Sequence, residues 1–180
     1  LVDEAKARVL KIMDQPDDEV AEIVAVGAVK YALLKNTIGS DVVFDFDKTV
    51  SLEGNSGPYL QYTFARCQSV LRNGQWTMDN GQLSSQFSIV NFQLNREELG
   101  ILRWLYRFEE VVMSAGAAYE PSQICTYLYE LAQKFNTFYN QHTILGEEKT
   151  KELRLGLTAA VGQVVKNGLW VLGIKSPEKM

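Results

Sequence analysis

Apolar residues recur at helical spacing along most of the chain, and turn residues separate the segments that carry this pattern. Pro16 and the acidic residues after it end the first segment, and Asn36–Ser40 and Asn73–Gln93 have loop composition. The short apolar run Val42–Phe44 cannot form a sheet alone, so we expect it to be irregular. The pattern therefore predicts an all-α antiparallel bundle, with helices over residues 3–13, 19–34, 58–72, 97–113, 121–140 and 147–172.

The helix that begins near Pro58 carries two distinct stripes. Gly54 and Gly57 supply permissive backbone before it, and proline suits the first turn of a helix. One stripe is apolar and should pack inward: Leu60, Phe64, Cys67 and Leu71. The other lies about 120° away and consists of Tyr59, Tyr62 and Arg66. Two interpretations fit it: half-buried core edges with a solvated charge, or an aromatic and cationic surface for unpaired bases.

Three other helices have apolar faces that predict their place in the bundle. The second helix, up to Leu34, needs cover on more than one side. The segment 97–113 is apolar on two sides, which is typical of a central helix. In the last helix Gly168 should allow close packing and Gly173 should end the helix in a left-handed conformation. Its predicted inward residues are Leu153, Leu157, Ala160, Val164 and Val171.

In the loop before residue 93, we expect Trp76, Phe87 and Phe92 to anchor the chain to the bundle.

Charge argues against a protein that binds nucleic acid mainly through phosphates. The 180 residues carry 18 Lys and Arg against 22 Asp and Glu, a net charge of −4. The imbalance lies in residues 1–57, which hold 6 basic and 11 acidic groups, whereas residues 58–180 hold 12 and 11. Stacking of splayed single-stranded bases on aromatic rings needs little net charge, so this mode of binding stays open for the second part.

The sequence offers little for catalysis or metal binding. Cys67 and Cys125 have no His or Cys at ligand spacing, so both read as buried apolar groups in a reducing compartment. His142, the single histidine, follows a helix in a polar stretch and is interpreted as a loop residue. Asp45 and Asp47 favour capping or surface roles over a metal pair. No glycine-rich loop carries the lysine that phosphate binding requires. No serine or cysteine has an evident histidine and carboxylate to activate it as a nucleophile.

Neither a membrane span nor a secretion signal is recognisable, so we expect a cytoplasmic protein. The chain starts at Leu1 inside a helical pattern, which suggests a piece of something longer.

Three sequence strings resemble one enzyme family, the arginyl-tRNA synthetases. Phe-Asp-Phe-Asp at 44–47, followed by Glu-Gly-Asn-Ser-Gly-Pro-Tyr-Leu-Gln-Tyr at 53–62 and Ala65-Arg66, is similar to the junction between their catalytic core and anticodon-binding domain. Residues 127–139 and 168–180 match in the same order, so the resemblance covers essentially the whole chain. It implies a junction segment over 1–57 and an anticodon-binding bundle, of the class I synthetase type, over 58–180.

The resemblance also implies a function and a set of RNA-contacting residues. The chain would bind the anticodon arm of an arginine-accepting tRNA without catalytic residues, metal or cofactor of its own. ATP and arginine would bind the parent's catalytic domain, which is the other expected partner. By position, the RNA-binding residues would be Tyr59, Tyr62, Arg66, Tyr139 and Met180. A terminal methionine is also commonly frayed and dispensable, so that alternative stays open for Met180.

The four-residue signature of the domain, Asp-Ala-Leu-Arg, stands here as Lys151-Glu152-Leu153-Arg154. Leu153 and Arg154 survive, and we interpret Arg154 as a structural hydrogen-bonding group rather than a base reader. The main alternative function is an all-α protein–protein interaction domain derived from a synthetase. RNA binding that depends on the anticodon bases would separate the two.

Overall fold

The computed structural model describes residues 1–13, 15–76, 93–146 and 148–180, and all regular structure within these ranges is helical. This confirms the predicted all-α class. The helices are α1 (Val2–Ile12), α2 (Asp18–Leu34), α3 (Phe46–Thr49), α4 (Gly57–Asn73), α5 (Arg96–Tyr106), α6 (Phe108–Ala118), α7 (Pro121–Gln141) and α8 (Glu148–Val171). Phe87 and Phe92, two of the three predicted loop anchors, lie outside the described residues, whereas Trp76 packs against the bundle.

Side-chain caps explain where several helices begin. The Asp17 carboxylate accepts from the backbone N–H groups of Glu19 and Val20, both at 3.0 Å, at the start of α2. Ser56 caps α4 and Pro58 lies in its first turn, within one residue of the predicted start. Asn95 and Glu98 form a reciprocal capping box at the start of α5. Polar residues before apolar segments therefore set these boundaries.

The stretch before α4 contains a short helix that the sequence pattern did not indicate. Residues 42–44 are irregular, as predicted, but α3 follows them directly. Asp45 caps α3 by accepting from the N–H groups of Asp47 and Lys48, and these bonds hold the pKa of its carboxyl below the ordinary value. Asp47 pairs with Arg8 on α1. The capping and surface roles expected for the two aspartates are confirmed.

Helix α2 belongs to two apolar clusters at once. The larger cluster is built mainly from α4, α7 and α8, and the fully buried Tyr31 of α2 takes part in it. The smaller cluster joins Ala5 and Val9 of α1 to other residues of α2 and to Val50. The prediction that α2 is covered on more than one side is confirmed.

Two glycines let α2 and α4 cross almost backbone to backbone. A Cβ on Gly57 would lie 2.6 Å from the carbonyl oxygen of Gly27, which leaves no space for one. Beside this crossing, the buried Gln61 side chain donates to the carbonyl oxygens of Ile23 (3.3 Å) and Lys175 (2.8 Å). Gly57 is therefore required by close approach, and Gly54 by its positive φ of 76°.

The prediction of one continuous helix over 97–113 is wrong, because the chain breaks at Arg107 into α5 and α6. The Trp104 carbonyl accepts from the Tyr127 hydroxyl (3.0 Å), and the Trp104 indole N–H donates to the Tyr127 carbonyl (3.2 Å). In a continuous α-helix the Trp104 carbonyl would accept from the backbone N–H four residues later. Here it accepts from the Tyr127 hydroxyl and from the Arg107 N–H, which forms a tighter, 3₁₀-type turn. The prediction that this segment is a central helix, buried on two sides, is also wrong, because Tyr106 and Met113 on its second apolar side are exposed.

The inward face of α8 differs in part from the prediction. Leu153 and Leu157 are buried as expected, but Ala160 and Val164 are only half-buried and Val171 is exposed. The remaining buried apolar residues of the described part of α8 are Leu155, Val161, Val165 and Leu169. Because α8 packs against α4, α5 and α7 together, its buried face is wider than one stripe.

The glycine predictions for α8 are confirmed. A Cβ on Gly168 would lie 2.6 Å from the Leu128 side chain, and Gly173 has a φ of 67° just after the helix end. None of the helices in the described ranges is both long and apolar enough to cross a membrane.

Candidate nucleic-acid interface

Arg66 lies between two tyrosine rings that come from different helices. Tyr62 and Arg66 are one turn apart on α4, and Tyr139 lies near the end of α7. The Arg66 Cζ atom is 4.8 Å from the centroid of the Tyr62 ring and 4.7 Å from that of the Tyr139 ring. Both distances are within the range of cation–π contact. The guanidinium therefore covers one face of each ring and leaves at most the other face for a ligand.

A hydrogen-bond network centred on Asn136 of α7 holds Arg66 in the stack that it forms with Tyr62 and Tyr139. Arg66 donates through Nη1 to the Oδ1 atom of Asn136. The Asn136 amide nitrogen donates to the Tyr59 hydroxyl (2.9 Å) and to Thr63 Oγ1 (3.1 Å). Thr63 in turn donates to the Tyr59 carbonyl at 2.8 Å. One asparagine thus connects the arginine to two other residues of α4.

Tyr59 lies in that network rather than in the stack. Its ring packs edge-on against Tyr129, with centroids 5.8 Å apart. Burial raises the pKa of the Tyr59 hydroxyl above its ordinary value, and the hydrogen bond from Asn136 acts in the opposite direction. The structure brings Tyr62, Arg66 and Tyr139 together on one cleft and places Tyr59 outside its lining.

The C-terminal tail runs along α4 and ends at the same cleft. Ile174 is buried, the Lys175 carbonyl accepts from Gln61, and the Glu178 carbonyl accepts from the Arg72 guanidinium at 3.4 and 3.5 Å. Met180 then lines the same cleft as Tyr62, Arg66 and Tyr139 while staying 38% exposed. The tail is therefore held by α4, which places Met180 at the cleft that the two aromatic rings also line.

The cleft has a volume of about 1310 Å³ and is open to solvent. Cations from α4 and the tail, namely Arg66, Arg72 and Lys179, line it together with the acidic residues Asp17 and Glu178. Aromatic faces, a guanidinium and a thioether form a surface that can stack planar groups and attract anions. The arrangement has the chemistry for unpaired bases with phosphates beside them.

Arg154 performs the structural role predicted for it. Its Nε atom donates to the buried Glu98 carboxylate at 2.9 Å, and its Nη1 atom donates to the Thr143 carbonyl at 2.9 Å. Arg154 thus joins α8 to the start of α5 and to the turn after α7. His142 lies in that turn, as expected, with its Nε2 atom 3.5 Å from a Glu97 carboxylate oxygen.

The two cysteines lack the exposure and the lowered pKa of a reactive thiol. Cys67 and Cys125 are buried, and burial raises the pKa of both thiols, that of Cys125 to about 12. Within the described ranges no group of three or more His, Cys, Asp or Glu side chains is arranged to hold a metal ion.

Sequence reasoning missed Asn136 and Thr63, which organise the site without lining it. Both are polar residues on helix faces that point into the bundle, where Thr63 is fully buried and Asn136 partly so. A polar side chain at such a position needs a hydrogen-bond partner, and this requirement was the available signal.

Comparison with known proteins identifies the region that contains this site. A family model described as the DALR anticodon binding domain matches residues 60–180. The arginine–tRNA ligases of Thermococcus kodakarensis and Pyrococcus furiosus are 42% and 37% identical over 171 residues, or 94% of this chain. The chain spans 27% of the length of each of these relatives.

A solved structure agrees with the sequence matches. The arginyl-tRNA synthetase of Thermus thermophilus superposes with a TM-score of 0.86 at 30% identity, over 99% of this chain and 31% of that one. These matches confirm the resemblance inferred from the three sequence strings.

Proposed function

The chain belongs to the DALR anticodon binding domain family, and we propose on that basis that it binds the anticodon arm of an arginine-accepting tRNA. The observation that carries the proposal is the grouping of Tyr62, Arg66, Tyr139 and Met180 on one cleft. These residues come from two helices and the tail, so the fold, rather than proximity in sequence, assembles them.

The proposed mechanism is stacking of splayed loop bases on the open faces of Tyr62 and Tyr139. Each stacked base contributes about 1–3 kcal/mol to binding, so two suffice for measurable affinity without a strongly basic surface. The Arg66 guanidinium can contact a phosphate through the donors that Asn136 does not use. Met180 would fill the space between bases with a flexible thioether. We infer that Tyr59 contributes through the network beneath the stack.

We also propose that this chain does not charge tRNA by itself. The parent activity would be ATP-dependent attachment of arginine, with ATP bound in a catalytic domain that joins this one in the same polypeptide. The chain itself would hold no cofactor. The expected location is the cytoplasm, where tRNA is charged.

The test is binding of the 180-residue chain to a transcribed tRNA with an arginine anticodon, measured by fluorescence anisotropy at one fixed salt concentration. The control tRNA has the same body with abasic sites in place of the anticodon nucleotides, because a replaced base would still stack. We expect at least tenfold weaker binding of the control, since each stacked base that is lost costs about 1–3 kcal/mol. Equal binding of both would contradict anticodon recognition. If neither tRNA bound, the protein–protein interaction alternative would be favoured instead.

Charging is tested separately. The chain is mixed with ATP, arginine and the tRNA, and formation of arginyl-tRNA above background would refute the claim that it is non-catalytic.

A further inference from the structure

We propose that Asn136 is a positioning residue that fixes Arg66 between Tyr62 and Tyr139 and so prepares the surface for RNA. This inference rests on the proposed tRNA-binding function. Asn136 itself lies behind the stack and is not among the residues that line the cleft.

The hydrogen bonds around Asn136 allow only one orientation of its amide. Arginine has donors and no acceptor, so Asn136 must present Oδ1 to Arg66. Its Nδ2 atom then faces the Tyr59 hydroxyl and Thr63 Oγ1, and both can accept. Thr63 has already used its proton on the Tyr59 carbonyl. The orientation of the Asn136 amide is therefore set by its three partners, Arg66, Tyr59 and Thr63.

Arg66 needs such a partner because little else orients its guanidinium. Among the described residues no carboxylate lies within salt-bridge distance of it, and two cation–π contacts fix its distance from the rings more than its rotation. A planar guanidinium loses less conformational freedom per contact when it is held in advance. Asn136 supplies that constraint from a rigid helix.

The neutral charge of the Asn136 amide also suits a site that binds phosphate. A carboxylate at this position would orient Arg66 equally well, but it would neutralise the charge that a phosphate is to meet. The neutral amide oxygen orients the guanidinium and leaves its positive charge available to RNA. The choice of side chain therefore fits preparation of a ligand site better than fold stabilisation alone.

The test is a double-mutant cycle on tRNA binding by the 180-residue chain, with Asn136→Ala and Arg66→Ala. We expect Asn136→Ala to weaken binding about tenfold in the wild-type background and less than twofold in the Arg66→Ala background. A merely structural role would weaken binding equally in both, and that result would overturn the inference. Gln133→Ala is the matched control, because Gln133 lies one turn earlier on α7 and bonds to Tyr129 instead.

A second measurement needs no RNA. The order parameter of the Arg66 Nε–Hε group, from ¹⁵N relaxation, should fall in Asn136→Ala and stay unchanged in Gln133→Ala. If the wild-type chain failed to bind tRNA while this order parameter fell, the proposed function would be wrong and the positioning role would stand. An unchanged order parameter would overturn the positioning role. If Asn136→Ala did not fold, Tyr59→Phe would remove one of its acceptors, and we expect a smaller loss of order in the same direction.

Discussion

Gly57 on α4 lies directly against Gly27 on α2, with no space between the Gly57 Cα atom and the Gly27 carbonyl for even one methyl group. We therefore expect Gly57→Ala to lower the free energy of unfolding by about 1–3 kcal/mol, because backbone must move to admit the methyl. Thermal and urea denaturation would measure the change.

Gly100→Ala is the control for this substitution. Gly100 lies inside α5, and a Cβ there meets nothing within 4 Å. Alanine should raise stability by about 0.5–1 kcal/mol through helix propensity alone. Stabilisation by both substitutions would show that α2 and α4 are not in close contact.

Tyr62→Ala should weaken tRNA binding by about 1–3 kcal/mol, the scale for one stacked base, with little loss of fold. Phe64→Ala, two residues later on the buried side of the same helix, should instead cost about 3–5 kcal/mol of stability. Anisotropy measures the first and thermal denaturation the second. If Tyr62→Ala were the more destabilising of the two, the stripes on α4 would be assigned the wrong way round.

Arg154→Ala should lower the free energy of unfolding by about 3–5 kcal/mol, because it leaves the buried Glu98 carboxylate without its cation. Adding Glu98→Gln should recover part of this loss, since glutamine keeps the capping box without a charge. Urea denaturation of the single and double variants measures both. Arg103→Ala, at an exposed position on α5, should change stability by less than about 0.5 kcal/mol. A double variant no more stable than Arg154→Ala would contradict the buried-charge explanation.

The two cysteines should resist a thiol reagent in the folded chain at pH 8 and react fully in denaturant. Burial raises the pKa of both thiols, so the folded state keeps protons that the unfolded chain releases above its ordinary thiol pKa of 9.0. Their contribution to stability is therefore complete below pH 9 and is lost as pH rises toward about 12 for Cys125. Denaturant midpoints between pH 8 and 11 should fall, and a midpoint that rose with pH would contradict this sign.

Deleting Lys179 and Met180 should leave the melting temperature within experimental error while reducing affinity for the tRNA with an arginine anticodon. Both residues are exposed, and the tail remains attached through the Glu178 carbonyl and Arg72. Binding is compared at one salt concentration because phosphate contacts depend on salt. Equal affinity of the two chains would show that the tail end does not contact RNA.

Local sequence signals predicted most helices to within one or two residues. Asp17 and Ser56 before helices, and Gly173 after one, act on their own neighbours and can be read without knowledge of the fold. The break at Arg107 was not predictable from local signals, because it coincides with hydrogen bonds between Trp104 and Tyr127, which lie 23 residues apart in sequence. No glycine or proline marks that break.

The sequence indicated the residues that line the cleft but not Asn136 and Thr63 beneath them. Tyr59, expected on the RNA-contacting surface, belongs to the network beneath it. Tyr62 and Arg66 share a helix face by simple periodicity, whereas the RNA-binding role of Tyr139 was inferred from the resemblance. The contact of Arg66 with Tyr139 depends on how α4 packs against α7, which periodicity does not determine. Asn136 remained hidden for the same reason, since its partners lie 70 or more residues away.

Helix α2 couples the unfolding of the two apolar clusters. Its side chains belong to both apolar clusters. Separation of α1 from α2 would expose the α2 residues of the smaller cluster, and opening of the bundle would expose those of the larger one. Neither cluster can melt while the other keeps its full stability, because α2 loses the neighbours that hold it helical. The whole chain should therefore unfold in a single calorimetric transition, with its first fifty residues as part of the same cooperative unit.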